Sequence, residues 1–204
     1  MARWQPARRD VISSLADEIL HNYAHGRVLV AVDGSDRSGT TAFGADLLAL
    51  LEKRGHAAFH ARIEDFQAPR AQRYPSGSDP RRGRYLDGYD YSAFRRVLIE
   101  PFQMAVATGF VTSFWDATRD QPVEPKWLTA PEDAVLIVSG AFLQRPELHG
   151  LFNYVIWLDV PADPESDDAD QKLYRKAVKA PESADAIIDN RDPDHPHRIF
   201  ADSC

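Results

Sequence analysis

Residues 28–41, VLVAVDGSDRSGTT, constrain this chain most: an apolar run breaks into a loop bounded by two glycines and then into helical periodicity. Residues 28–32 have the all-apolar character of a strand buried on both faces. From Ser38 to about Lys53, Phe43, Leu47, Leu48 and Leu51 share one helical face, and Gly55 ends the pattern. Strand, loop and helix in that order leave backbone N–H groups at a helix N-terminus, where an anion is favoured. Gly34-Ser35-Asp36-Arg37-Ser38-Gly39 followed by Thr40-Thr41 fits the phosphate-loop frame G-x-x-x-x-G-K-[ST], with Thr40 in the lysine's place. The cradle and the hydroxyl that would hold Mg²⁺, Thr41, are kept, and the cation is not.

Helical and strand patterns alternate along the rest of the chain. Val11, Ile12, Leu15, Ile19 and Leu20 form one helical face before His25-Gly26. Residues 57–62, 134–138, 154–160 and 186–188 read as strands, the last preceding a polar, Pro-rich tail. Residues 91–107 return to helical spacing, with a kink or break expected at Pro101. Residues 110–115 and part of 123–129 are expected to pair as a small hairpin around Asp120-Gln121-Pro122, and 172–179 to form a short helix. Residues 66–90, rich in Arg, Pro, Gly and Tyr, read as a long loop, and the acidic stretch 162–170 as solvated. Trp115, Trp127 and Trp157 are expected in packing roles. The order of elements predicts one α/β domain over residues 1–204, a mainly parallel sheet with helices on both faces in three layers, α/β/α.

Charge and cysteine content narrow the partners. A net charge of −7 argues against a general nucleic-acid or anionic-membrane binder, and no apolar run reaches membrane-spanning length. The start, MARWQPARRD, resembles neither a secretory signal nor a transit peptide. With Cys204 as the sole cysteine, a reducing, cytoplasmic setting is the default expectation. Homodimerisation through the N-terminal helix or the hairpin is compatible with the pattern, as is a protein partner.

The segments VAVDGSDRSGTT, EDFQAPRAQRY, RYLDGYDYSAFRRVLIEPF, AVLIVSGAFLQRPELHGLFNYVIWLDVP, QKLY and AIIDN, collinear from about residue 10 to residue 200, resemble uridine kinase-like proteins of the P-loop nucleoside and nucleotide kinases. The resemblance implies a P-loop NTPase-type fold, with ATP and Mg²⁺ as cofactors and a nucleoside, nucleotide or other phosphate-bearing molecule as ligand. The loop Gly34, Ser35, Asp36, Arg37, Ser38, Gly39, Thr40, Thr41 would hold the ATP phosphates. Glu64 matches the family's aspartate base toward the nucleoside hydroxyl, and Asp65 beside it is the alternative. Asp87 matches an aspartate that hydrogen-bonds the ribose. Tyr85 and Tyr89 would line a base-binding wall, Arg73 would assist substrate binding, and Arg145 fits the family pattern without an assigned role.

Four departures bear on activity: Thr40 replaces the loop lysine, and Ser139 stands where the family places a metal-organising acid. The arginine-bearing lid is reduced to the acidic residues 162–170, and Asp36 puts an acid inside the phosphate loop. Phosphoryl transfer rests on positioning and charge neutralisation. Loss of one such stabiliser costs about 2.7–4 kcal/mol in the transition state. A degenerate kinase that binds without efficient transfer is therefore the expected function. The alternatives are an active ATP-dependent nucleoside kinase that uses Arg37 and the arginines of residues 70–84, including Arg84, and an ATP-independent enzyme that uses Glu64 and Asp65.

Overall fold

A computed structural model describes residues 6–73, 80–104, 107–161 and 169–200. Helix α1 (Arg8–Asn22) leads into strand β1 (Val28–Gly34), the glycine loop and helix α2 (Thr40–Lys53), followed by β2 (Ala58–Arg62). A single 3₁₀ turn (Ile63–Phe66) then precedes the short helices α3 (Arg70–Arg73) and α4 (Pro80–Asp87). A continuous helical stretch comprises α5 (Tyr91–Phe94), a wide π turn (Arg95–Ile99) and α6 (Glu100–Gln103). The hairpin strands are β3 (Trp115–Asp116) and β4 (Gln121–Pro122). Strands β5 (Val135–Gly140) and β6 (Tyr154–Asp159), helix α7 (Ala169–Ala177), and strands β7 (Ala186–Asp189) and β8 (His197–Ile199) complete the chain.

The main sheet runs β2-β5-β1-β6-β7-β8, parallel except for the antiparallel edge strand β8. Period-two alternation sends β1 side chains to opposite sides. Val28, Val30 and Val32 join α1 and α2 through Leu15, Ile19, Phe43 and Leu47. Leu29 and Ala31 join the second core, which holds Phe94, Phe102, Phe142 and Tyr174. Each side covers one face, as expected for the three-layer α/β/α arrangement. Among the described residues no helix is long and apolar enough to cross a membrane.

Several local expectations are corrected. Within residues 66–90, α3 and α4 are helical rather than loop; residues 74–79 lie outside the described residues. Helix α4 is mostly polar in sequence, and tertiary anchors hold it: Tyr85 N–H donates to Asp170 at 3.2 Å, and Arg84 pairs with Asp170 at 3.6 Å. Asp170 is accordingly buried in α7 rather than solvated, and α7 begins three residues earlier than the periodicity suggests. Residues 162–168 of the expected acidic loop are not among the described residues.

The hairpin turn falls over residues 117–120, with Asp120 at φ 53, so Gln121 and Pro122 are in the strand. Pro101, which has no N–H to donate, is accommodated by the π turn just before it rather than by a break. Trp127 is 64% exposed instead of packed. The tail contributes β8, held by Arg198, which pairs with Glu18 of α1 and donates to the Asp185 carbonyl at 3.0 Å.

Candidate functional site

The loop between β1 and α2 is built around its own small residues. A Cβ on Gly34 would collide with Ser38 Oγ and stand 3.0 Å from the Leu158 carbonyl, so no larger residue fits beneath the loop. Ser38 folds back, donating its N–H (2.9 Å) and its hydroxyl (2.6 Å) to the Ser35 carbonyl. Gly39, at φ +79, turns the chain into α2, and Asn190 at the end of β7 donates to the Ser38 carbonyl at 2.7 Å. Ser35 is half-buried and Thr40 is buried, while Asp36, Arg37 and Thr41 are exposed. The first N–H groups of α2 have no acceptor within the helix and remain available to an anion.

At the carboxyl end of β5, Ser139 is fully buried, with its hydroxyl 2.8 Å from His60 Nε2. Burial, and then the nearby Arg62 charge, push the His60 pKa down, so the imidazole is neutral at pH 7. Gly44 makes room for it, since a Cβ there would lie 2.7 Å from His60 Nε2.

The turn after β2 separates the two candidate carboxylates. Arg62 grips Asp65 with both arms of its guanidinium, one bond measuring 2.9 Å. Glu64 instead lies against the end of β5: a Cβ on Gly140 would be 2.7 Å from Glu64 Oε1. Its Oε2 is buried without a hydrogen bond among the described residues. Burial raises the Glu64 pKa, and the negative charges of Asp65 and Asp36 raise it further. Between this turn and the hairpin opens a polar cleft of about 470 Å³, lined in part by Arg62, Glu64, Asp65, Gln67, Trp115 and Asp116.

The other expected site residues are not all gathered there. Tyr85 and Tyr89 are buried in the core, with Phe142 5.2 Å and 6.4 Å from their respective ring centroids. Asp87 is exposed at the end of α4. Arg73 donates to Gln67 at 2.8 Å and lies 3.8 Å from Asp120, which ties α3 to the hairpin. Arg145 is a clamp: its guanidinium lies 4.9 Å and 4.5 Å from the Tyr85 and Tyr91 ring centroids and is paired to Glu147.

Two features beneath and beside the loop have partners that sequence reasoning does not identify. Asp33, the last side chain of β1, is fully buried and accepts hydrogen bonds from the Tyr174 hydroxyl, Gln144 Nε2 (3.2 Å) and the Gly34 N–H (2.8 Å). Loss of water around it pushes its pKa up to about 6, despite the bonds that favour the charged form. An acid closing an apolar strand was the available signal; its partners lie too far along the chain to be read. The second feature is Arg84, whose guanidinium bonds Asp36 within the glycine loop.

No protein-family model matches the sequence, and no curated protein matches it. Solved structures do. A possible uridine kinase from Bacillus stearothermophilus is 25% identical with a TM-score of 0.78, over 89% of this chain and 98% of that one. A candidate fructose transport system kinase from Silicibacter sp. TM1040 is 23% identical with a TM-score of 0.61, over 74% of this chain and 75% of its own, and supports the fold alone. Strand order, glycine loop and these likenesses agree, and the chain has the P-loop kinase-type fold.

Proposed function

We propose that this chain is a uridine kinase-like P-loop protein that binds a nucleoside, nucleotide or other phosphate-bearing ligand without efficient ATP-dependent phosphoryl transfer. The observation that carries this reading is the Ser139–His60 pair. A neutral hydroxyl and a neutral imidazole stand at the strand end where an acid would organise Mg²⁺. Thr40 in the lysine's place adds no charge. The loop amides suit a phosphate group, whereas the strand end offers Mg²⁺ the His60-paired Ser139 hydroxyl in place of an acid, so the residues fit a phosphate better than Mg·ATP.

A second reading, an active nucleoside kinase, draws support from Arg84, which brings a guanidinium to the loop. In that case Arg37, Arg84 and Glu64 would carry transfer, and turnover would fall on Arg37→Ala or Glu64→Gln.

A thermal-shift titration with ATP, Mg·ATP, uridine, UMP and inorganic phosphate tests the first reading. Saturation at a hundredfold excess over Kd stabilises the native state by about 2.7 kcal/mol, or roughly 5–10 °C for a chain of this size. The expected result is a shift with uridine, UMP or phosphate that Mg²⁺ does not enhance. A shift that appears only with Mg·ATP favours the kinase, and no shift with any of them removes the ligand site.

A further inference from the structure

The geometry points to Arg84 as the phosphate-binding cation of this loop, held by Asp36 in a self-occupied state that an incoming phosphate group must displace. This inference rests on the ligand site proposed above and names the residues that regulate it.

Arg84 has two kinds of partner. One set is fixed: its guanidinium carbon lies 5.1 Å from the centroid of the buried Phe142 ring, and its Nε is 3.6 Å from Asp170, whose side chain is only 9% exposed. These contacts hold the guanidinium in place whatever else it binds. The other partner is replaceable. Asp36 sits in the glycine loop with its side chain 41% exposed, and it takes Arg84 Nη1 as a phosphate oxygen would. An aspartate between the two glycines therefore places a carboxylate beside the N–H groups that an anion would use, and it pairs with Arg84 from α4.

A phosphate group entering the loop meets a negative charge and an occupied guanidinium. Once Asp36 swings toward water, Arg84 and the α2 amides converge on the anion. Loss of the loop lysine is thus partly offset by a cation from another helix. The acid in the loop raises the ligand concentration needed to engage it.

The test is calorimetric titration of wild type, Asp36→Asn, Arg84→Gln and the double variant with inorganic pyrophosphate, orthophosphate and ADP, which separate a free anion from a nucleotide source. Thermal melts confirm that each variant is folded, and Arg84→Lys replaces Arg84→Gln if the latter is not. Removing an exposed competing carboxylate is expected to tighten pyrophosphate binding roughly fivefold at low salt, less at high salt. Arg84→Gln weakens it about tenfold or more, as expected for a charged hydrogen-bond partner of phosphate, and the double variant behaves like Arg84→Gln. Wild-type binding with Asp36→Asn unchanged or weaker overturns the latch and leaves the ligand site standing. Failure of both wild type and Asp36→Asn to bind any of the three anions overturns the latch and the phosphate site together.

Discussion

Replacing Arg145 with alanine is expected to destabilise the fold by about 3 kcal/mol, since two desolvated ring contacts and several charged hydrogen bonds are lost. Arg145 is 5% exposed and donates to the Tyr85 carbonyl (2.6 Å), the Tyr91 hydroxyl (3.0 Å) and both Glu147 oxygens (2.6 and 2.7 Å). Truncation leaves the Tyr85 carbonyl buried without its donor and opens a gap between two aromatic rings. A loss of that size lowers Tm by roughly 6–12 °C in a chain of this length. Arg145→Lys keeps the charge but not the planar fork, so it should restore less than half of the difference. A lysine variant as stable as wild type, or an alanine variant within about 2 °C of it, would contradict the clamp. The clamp matters beyond stability, because it fixes the end of α4 that carries Arg84.

Asp33→Asn is expected to stabilise the protein at pH 7.5 by about 2 kcal/mol. In the native state the Asp33 pKa is raised from 3.8 to about 6, so the folded chain holds a proton that the unfolded chain has released between those values. Stability therefore falls as pH rises across that window and is flat above it. Asparagine removes this dependence. Gln144, whose Oε1 is buried without a partner, can turn its amide over to accept from the new side-chain NH₂. Urea unfolding of both proteins between pH 4 and 8 should show the gap opening from the acid end and levelling above about pH 6. An asparagine variant less stable than wild type at pH 7.5 would mean that the hydrogen bonds to the buried carboxylate outweigh the cost of taking its charge out of water.

The central strands and the glycine turn between β1 and α2 were legible because their signals are local. Two glycines at fixed spacing after an apolar run specify the turn, and α2 follows from its own periodicity. Helix α4, PRRGRYLD, was not legible because almost nothing in it is apolar. It owes its order to Asp170 and Arg145, 85 and 60 residues away along the chain. The Asp33–Tyr174 bond spans 141 residues, beyond any pattern of neighbours. Among the candidate site residues, the sequence matched Glu64 to the base position and left Asp65 as the alternative. Geometry distinguishes them, because Arg62 neutralises Asp65 while Glu64 faces the end of β5. Tyr85 and Tyr89, expected from the resemblance to line a base-binding wall, are buried among core side chains.

The most direct test of the central claim is single-turnover transfer of labelled γ-phosphate from Mg·ATP to uridine, run beside a binding titration of the same sample. The expected result is ligand binding with no labelled UMP above the protein-free control. Transfer at roughly 1–100 s⁻¹, the range of ordinary kinases, would contradict it.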